Sequence, residues 1–159
     1  RPPVADIPDL EFLRAAFRDF VPHNKALGLE MVSATAEPAA VILKLVWDEK
    51  LVGNPDTGHL HGGVVTTLLD ATAGASVYLK LKEPTPIATL DLRVDHLGPG
   101  TARRDVYARA ECFKATHNVA FVRAVAYHDH PDDPFASAAA TFMIATPGRS
   151  VVASAKAAP

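Results

Sequence analysis

Two groups within residues 54–81 (NPDTGHLHGGVVTTLLDATAGASVYLKL) have the types and spacing to do chemistry together. One is Asp70, the only carboxylate between Gly63 and Leu81, in a run with no proline and one internal glycine, Gly74. That run reads as a long helix, apolar nearly all round, and such a helix belongs inside a protein. An ionised carboxylate there costs several kcal/mol unless it is partnered. Either a structural partner, such as Thr66 or Thr67 one turn earlier or a group across an interface, or a reaction accounts for it. The second group is the helix opening. Gly62 and Gly63 follow His61, and residues without side chains leave the first-turn N–H groups uncovered. An acid that attacks or activates water, with an amide that holds the developing oxyanion, are the parts acyl transfer needs.

Other polar clusters are weaker. His59 and His61 form an H-x-H pair, and His128, His130, Asp132 and Asp133 lie in the polar segment HDHPDDP. These are metal-ligand types, but such a segment is more often a solvated loop, and no metal is assigned. No G-x-x-x-x-G-K phosphate loop is present. Taken alone, Gly62-Gly63 would serve only close helix packing.

The elements that must position these groups follow from periodicity. Residues 1–8 (RPPVADIP) form a proline-rich extension. Leu10, Leu13, Phe17 and Phe20 at helical spacing predict a short amphipathic helix over 9–20, with Asp9 as N-cap and Pro22 and Gly28 ending it. Residues 29–36 and 39–47 read as strands joined at Glu37-Pro38. After the long helix, the two prolines of KEPTP break the chain, and 87–97 alternates. Ala88, Leu90, Leu92 and Val94 are expected on one face, with Thr89, Asp91, Arg93 and Asp95 on the other. Strands over 105–114 and 119–127 form a hairpin across Thr116-His117-Asn118, and 135–145 is a last strand. Val106, Ala108, Ala110 and Cys112 alternate onto one face, so Cys112 reads as a small buried hydrophobe. One domain over 9–146 and a flexible tail over 147–159 complete the division.

Composition limits the function classes. A 159-residue chain with 48% apolar and 21% charged residues is an ordinary globule of one domain. A net charge of −2, with no basic cluster beyond Arg103-Arg104, gives nucleic acid no footprint. No run is apolar enough to span a bilayer and no signal peptide is recognised, so a membrane partner is not expected. The lone Cys112 excludes an internal disulfide and suits a reducing compartment, read as the cytoplasm.

One apolar helix between six strands joined mainly by short turns predicts an α+β fold, a six-stranded antiparallel sheet curled around one long central helix with a short N-terminal helix. Here the chain resembles the hotdog-fold acyl-CoA thioesterases, in particular the PaaI-like (phenylacetate-degradation) group with its 4-hydroxybenzoyl-CoA thioesterase relatives. The resemblance rests on Gly58, His61-Gly62-Gly63, Asp70 nine positions after His61, and the strand order over about residues 25–146.

The resemblance implies hydrolysis of an acyl-CoA thioester, aryl or medium-chain, with coenzyme A as part of the substrate and no other cofactor. Gly62 is then the oxyanion donor and Asp70 the nucleophile or general base. His61 shapes the thioester pocket or caps the helix. Asn54 matches the family's Asn or Gln, one residue further from His61 than usual because of Pro55. Thr89 matches a Ser or Thr that orients water, and its phase requires an interface or a bulge to reach the site. Gly63, Leu60, Val64, Leu68 and Leu69 line an acyl pocket, while Arg103, Arg104, Lys114, His117 and Asn118 are candidates for the nucleotide.

Gly62 and Asp70 are eight residues apart, about 12 Å along one helix, yet both must reach one carbonyl. Two antiparallel helices related by a twofold satisfy this, and relatives are built so. A homodimer with shared sites is expected, with pairing of dimers left open. A hotdog dehydratase or hydratase and a non-catalytic acyl-CoA-binding protein are the alternatives.

Overall fold

The computed structural model describes residues 10–19, 21–82 and 85–144. The extension 1–8, the cap at Asp9, the end of the last strand at Ala145 and the tail 147–159 lie outside them. The chain begins with α1 (Leu10–Asp19) and α2 (Pro22–Ala26), then β1 (Leu29–Thr35) and β2 (Ala40–Leu45). A 3-10 turn (Glu49–Leu51) leads into a two-stranded ribbon, β3 (Val52–Asn54) and β4 (His59–Leu60). The long helix α3 (Gly62–Leu81) follows, and β5 (Ile87–His96), β6 (Val106–Ala115), β7 (Val119–Tyr127) and β8 (Ala136–Ile144) complete the fold. The six long strands form one antiparallel sheet in the order β1-β2-β6-β7-β8-β5, as the pattern predicts.

The inner face of the sheet explains how closely α3 can lie on it. Ala108, Ala110, Ala120, Ala126 and Ala136 are wholly buried along β6, β7 and β8, and their small side chains leave room for a helix of about 30 Å. α3 packs chiefly on β6, β7 and β2. Leu43, Leu45, Leu68 and Leu69 fill that contact without exposure, each contributing about 1.5–3 kcal/mol. Cys112 is sealed in the same layer, and burial pushes its thiol pKa up.

Three expectations need correction. Pro22 does not merely end the first helix; it opens α2, because a proline is also at home in a first helical turn. The 54–61 segment is not a plain loop but contains β4 and the β3–β4 turn. Nor is α3 buried all round. Thr66, Thr67, Asp70, Ala71 and Gly74 are half-exposed and Tyr78 is exposed. A sheet covers only one side of a helix, and among the described residues no second layer covers this stripe.

Candidate active site

The helix head is held by its surroundings. Gly53 lies against His61 so closely that a Cβ there would stand 2.9 Å from the His61 Cα, a contact only glycine allows. The His61 N–H donates to Leu51 O at 2.9 Å. The imidazole then caps α3, its Nδ1 accepting from the Gly63 N–H at 3.0 Å, which puts the ring proton of the neutral form on Nε2. The Val64 N–H donates to His61 O. Among the described residues the Gly62 N–H has no acceptor. It is an unfilled donor at the positive end of a 20-residue helix.

Two turns along, Asp70 sits on the open stripe. Thr66 and Thr67 do not satisfy it, since their hydroxyls donate back to Gly62 O and Gly63 O. Its partner is Thr89, whose Oγ1 donates to Asp70 Oδ1 at 3.0 Å. A bulge makes this possible. Thr89 pairs with Phe142 and Asp91 with Thr141, so Leu90 is an extra residue in β5. The insertion breaks the expected alternation. Ala88 and Leu90 are exposed, Leu90 at 51%, while Thr89 joins Leu92 and Val94 on the helix side. The second carboxylate oxygen of Asp70 has no partner among the described residues.

Behind the head, the β3–β4 turn is braced. Gly58 O accepts from Trp47 Nε1 at 3.0 Å and from the Arg103 N–H at 3.3 Å. Gly58 has φ +77° and Arg103 φ +56°, and a Cβ on Gly58 would meet the Arg103 guanidinium at 3.0 Å. Trp47 is fixed in turn, its N–H donating to Asp105 Oδ1 at 2.9 Å. Lys44 Nζ lies 2.8 Å from Asp105 Oδ2, and Lys44 first and the Trp47 amide second hold this carboxyl below the usual range.

Residues 57–134 match the family model described as Thioesterase superfamily. The medium/long-chain acyl-CoA thioesterase YigI of Escherichia coli (strain K12) is 33% identical over 148 residues, covering 85% of this chain and 93% of that protein. The chain belongs to the thioesterase superfamily. This thioesterase also matches a crystal structure from Pseudomonas aeruginosa at 39% identity and TM-score 0.76, covering 86% of this chain and 98% of that one. The phenylacetic acid degradation protein PaaI of Thermus thermophilus, at 21% identity and TM-score 0.66 over 77% and 98% of the two chains, shares the fold. The fold is the hotdog fold, and the chain is a thioester hydrolase.

The thioesterase brings some expected site residues together and separates others. His61, Gly62 and Gly63 form the helix head, and Asp70 and Thr89 meet. Asn54 turns its Oδ1 to the Asp56 N–H at 3.0 Å, a local turn. Leu69 is fully buried in the core, and Leu60 is half-buried. The nucleotide candidates divide. Arg103 and Arg104 precede β6, whereas Lys114, His117 and Asn118 lie at its far end, about 30 Å of strand away. Arg103 serves the turn, also donating to Thr57 O at 3.4 Å, and Arg104 pairs with Asp129.

A groove of about 620 Å³ lies nearby, lined by Ile42, Arg104, Tyr107 and Tyr127 among others. Ile42 and Tyr107 alternate with core residues, so this groove is on the sheet's outer face and holds none of Asp70, Gly62 and Thr89. Among the described residues no three His, Cys, Asp or Glu side chains converge on a metal position. His128 is occupied by Asp105 O at 2.8 Å and by the Thr101 N–H at 2.7 Å, and His130 Nδ1 accepts from the Asp132 N–H. No helix among the described residues is long and apolar enough to cross a membrane.

Two features escaped the sequence reading: the Trp47–Gly58–Arg103 brace, and His96, whose ring stands against Gly62. Alternation along β5 already puts His96 in phase with Leu92 and Val94, but no sequence pattern places its ring beside Gly62.

Proposed function

We propose that this thioesterase hydrolyses acyl-CoA thioesters carrying aryl or medium-chain acyl groups, at sites shared by the two chains of a homodimer. The hydrogen bond from Thr89 to Asp70, made on the exposed stripe of α3, carries the reading. It orients a carboxylate with a free oxygen toward an opening, and a hydroxyl beside it to position water. Asp70 attacks the thioester carbonyl or takes a proton from the attacking water. The Gly62 N–H holds the oxyanion, and the carbon–sulfur bond breaks to release CoA. The water route gives the acid directly, whereas direct attack leaves an Asp70 mixed anhydride that a water then hydrolyses to the acid and free Asp70.

The shared site is supported by two uncovered surfaces. Among the described residues β5 pairs with β8 on one edge only, and an unpaired edge of ten residues is a template for a second strand. The open stripe of α3 lacks its second layer. Joining β5 to its copy would cover both and bring Gly62 of one chain toward Asp70 of the other. The E. coli relative's name, a medium/long-chain acyl-CoA thioesterase, favours medium-chain over aryl groups. Coenzyme A is the only cofactor-like group in this reading, and a buried Cys112 suits the cytoplasm.

Thiol release from benzoyl-, octanoyl- and dodecanoyl-CoA tests it. Wild type should turn over at least one member, and Asp70→Asn should lose about 100-fold or more. Full activity in Asp70→Asn would remove the mechanism. Inertness of wild type toward every member would remove the substrate class.

A further inference from the structure

β5 ends at His96, which alternation puts in phase with Leu92 and Val94, and the bulge at Leu90 brings Thr89 onto the same side. Its ring lies over the helix head: Cε1 and Nε2 are each 3.6 Å from the position a Cβ on Gly62 would take. The ring edge that carries Nε2 is therefore the one turned toward Gly62. His96 is exposed. The imidazoles with hydrogen-bond partners among the described residues are those of His61, His128 and His130; His96 has none. Two polar groups without hydrogen-bond partners among the described residues, the Gly62 amide and the His96 imidazole, thus stand at the positive end of α3.

We propose that His96 is a catalytic residue of this thioesterase, its Nε2–H and the Gly62 N–H forming a two-donor oxyanion site at the head of α3. The inference rests on the acyl-CoA hydrolysis proposed above. When water or the partner chain's carboxylate adds to the carbonyl carbon, the π pair moves onto the oxygen. The two N–H groups hold that charge without transferring a proton. The pair returns as the carbon–sulfur bond breaks and CoA departs as the thiolate. A role as acid toward the leaving sulfur is less useful. A thiol has a pKa of about 8.5, so the thiolate leaves readily near neutral pH. The alkoxide of a tetrahedral intermediate is far more basic, and one donor to such an oxyanion is worth about 10²- to 10³-fold in kcat.

The test measures kcat and KM for octanoyl-CoA with wild type, Asp70→Asn, His96→Ala and His96→Gln, alongside thermal melts. His96→Ala should lower kcat about 100-fold and leave KM within about threefold, with a melt like wild type because the ring is exposed. His96→Gln presents an amide N–H at nearly the same reach and should recover about tenfold of that loss. A structural role would not give this split or this rescue. Near-normal kcat in His96→Ala, a loss confined to KM, or a Gln variant no better than Ala would each overturn the role of His96. With wild type active and Asp70→Asn inactive, that failure leaves the functional reading standing. Wild type inert toward benzoyl-, octanoyl- and dodecanoyl-CoA alike would overturn both.

Discussion

Replacing Gly62 by proline removes the proposed oxyanion donor while sparing the helix. Proline is well suited to the first helical position, where its fixed φ fits and its missing N–H has no intrahelical partner to lose. Gly62 occupies that position, and its N–H has no acceptor among the described residues. A proline also restricts the residue before it to extended backbone. His61 already has φ −63° and ψ 135°. The Cβ of the new residue has room, because the nearest atoms to it are those of His96 at 3.6 Å, an ordinary contact. The fold should therefore change by no more than about 0.5 kcal/mol, the scale of a harmless substitution. Loss of one oxyanion donor costs about 2.7–4 kcal/mol of transition-state stabilisation, a 10²- to 10³-fold fall in kcat. Thiol release from saturating octanoyl-CoA, with a circular-dichroism melt of the same sample, measures both. Gly62→Ala keeps the N–H and should retain more activity than Gly62→Pro. A proline variant with a native melt and near-wild-type kcat would refute the role given to this amide.

Thr89→Val should lower kcat about tenfold through loss of a hydrogen bond to a charged group, discounted for its exposure; Thr89→Ser should restore most of it, and equal rates in the valine variant would contradict the role of the hydroxyl. Asp105 governs a pH effect on stability. Its folded pKa is depressed by Lys44 and the Trp47 amide, so its contribution is present above the ordinary value of about 3.9 and is lost as pH falls through the lower folded value. Asp105→Asn should melt below wild type at pH 7, with the gap closing in acid below that ordinary value; a gap independent of pH would show that charge is not its cause.

The parts of the fold that were legible are those in which each residue's burial follows from its near neighbours. Val106, Ala108, Ala110 and Cys112 alternate into the core as their spacing implies, and α3 begins at the two glycines after His61. The bulge at Leu90 was not legible, because a period of two continues smoothly through an inserted residue. That one residue decides whether Thr89 reaches Asp70. The ribbon of β3 and β4 spans three and two residues, too few for any period, and long-range contacts from Trp47 and Arg103 hold its turn. The exposure of Asp70 was missed for another reason. Alanines, glycines and threonines count as apolar or tolerant in a pattern, yet whether a second layer covers them depends on what packs there. Asp70 and Gly62, the pair proposed to act on the thioester, were readable as residue types at a spacing, and the contact of Asp70 with Thr89 was set by the sheet.

The central claim, that Asp70 of one chain works with Gly62 of another, is tested most directly by mixing two dead variants. Asp70→Asn and Gly62→Pro chains, unfolded and refolded together in equal amounts, should pair at random, so about half of the dimers are mixed. Each mixed dimer has one site with both groups intact and one with neither. About a quarter of wild-type kcat per chain should be recovered, from two variants that are each inactive alone. No recovery, with mixed dimers demonstrated by mass, would place both groups of a working site in a single chain and contradict the account.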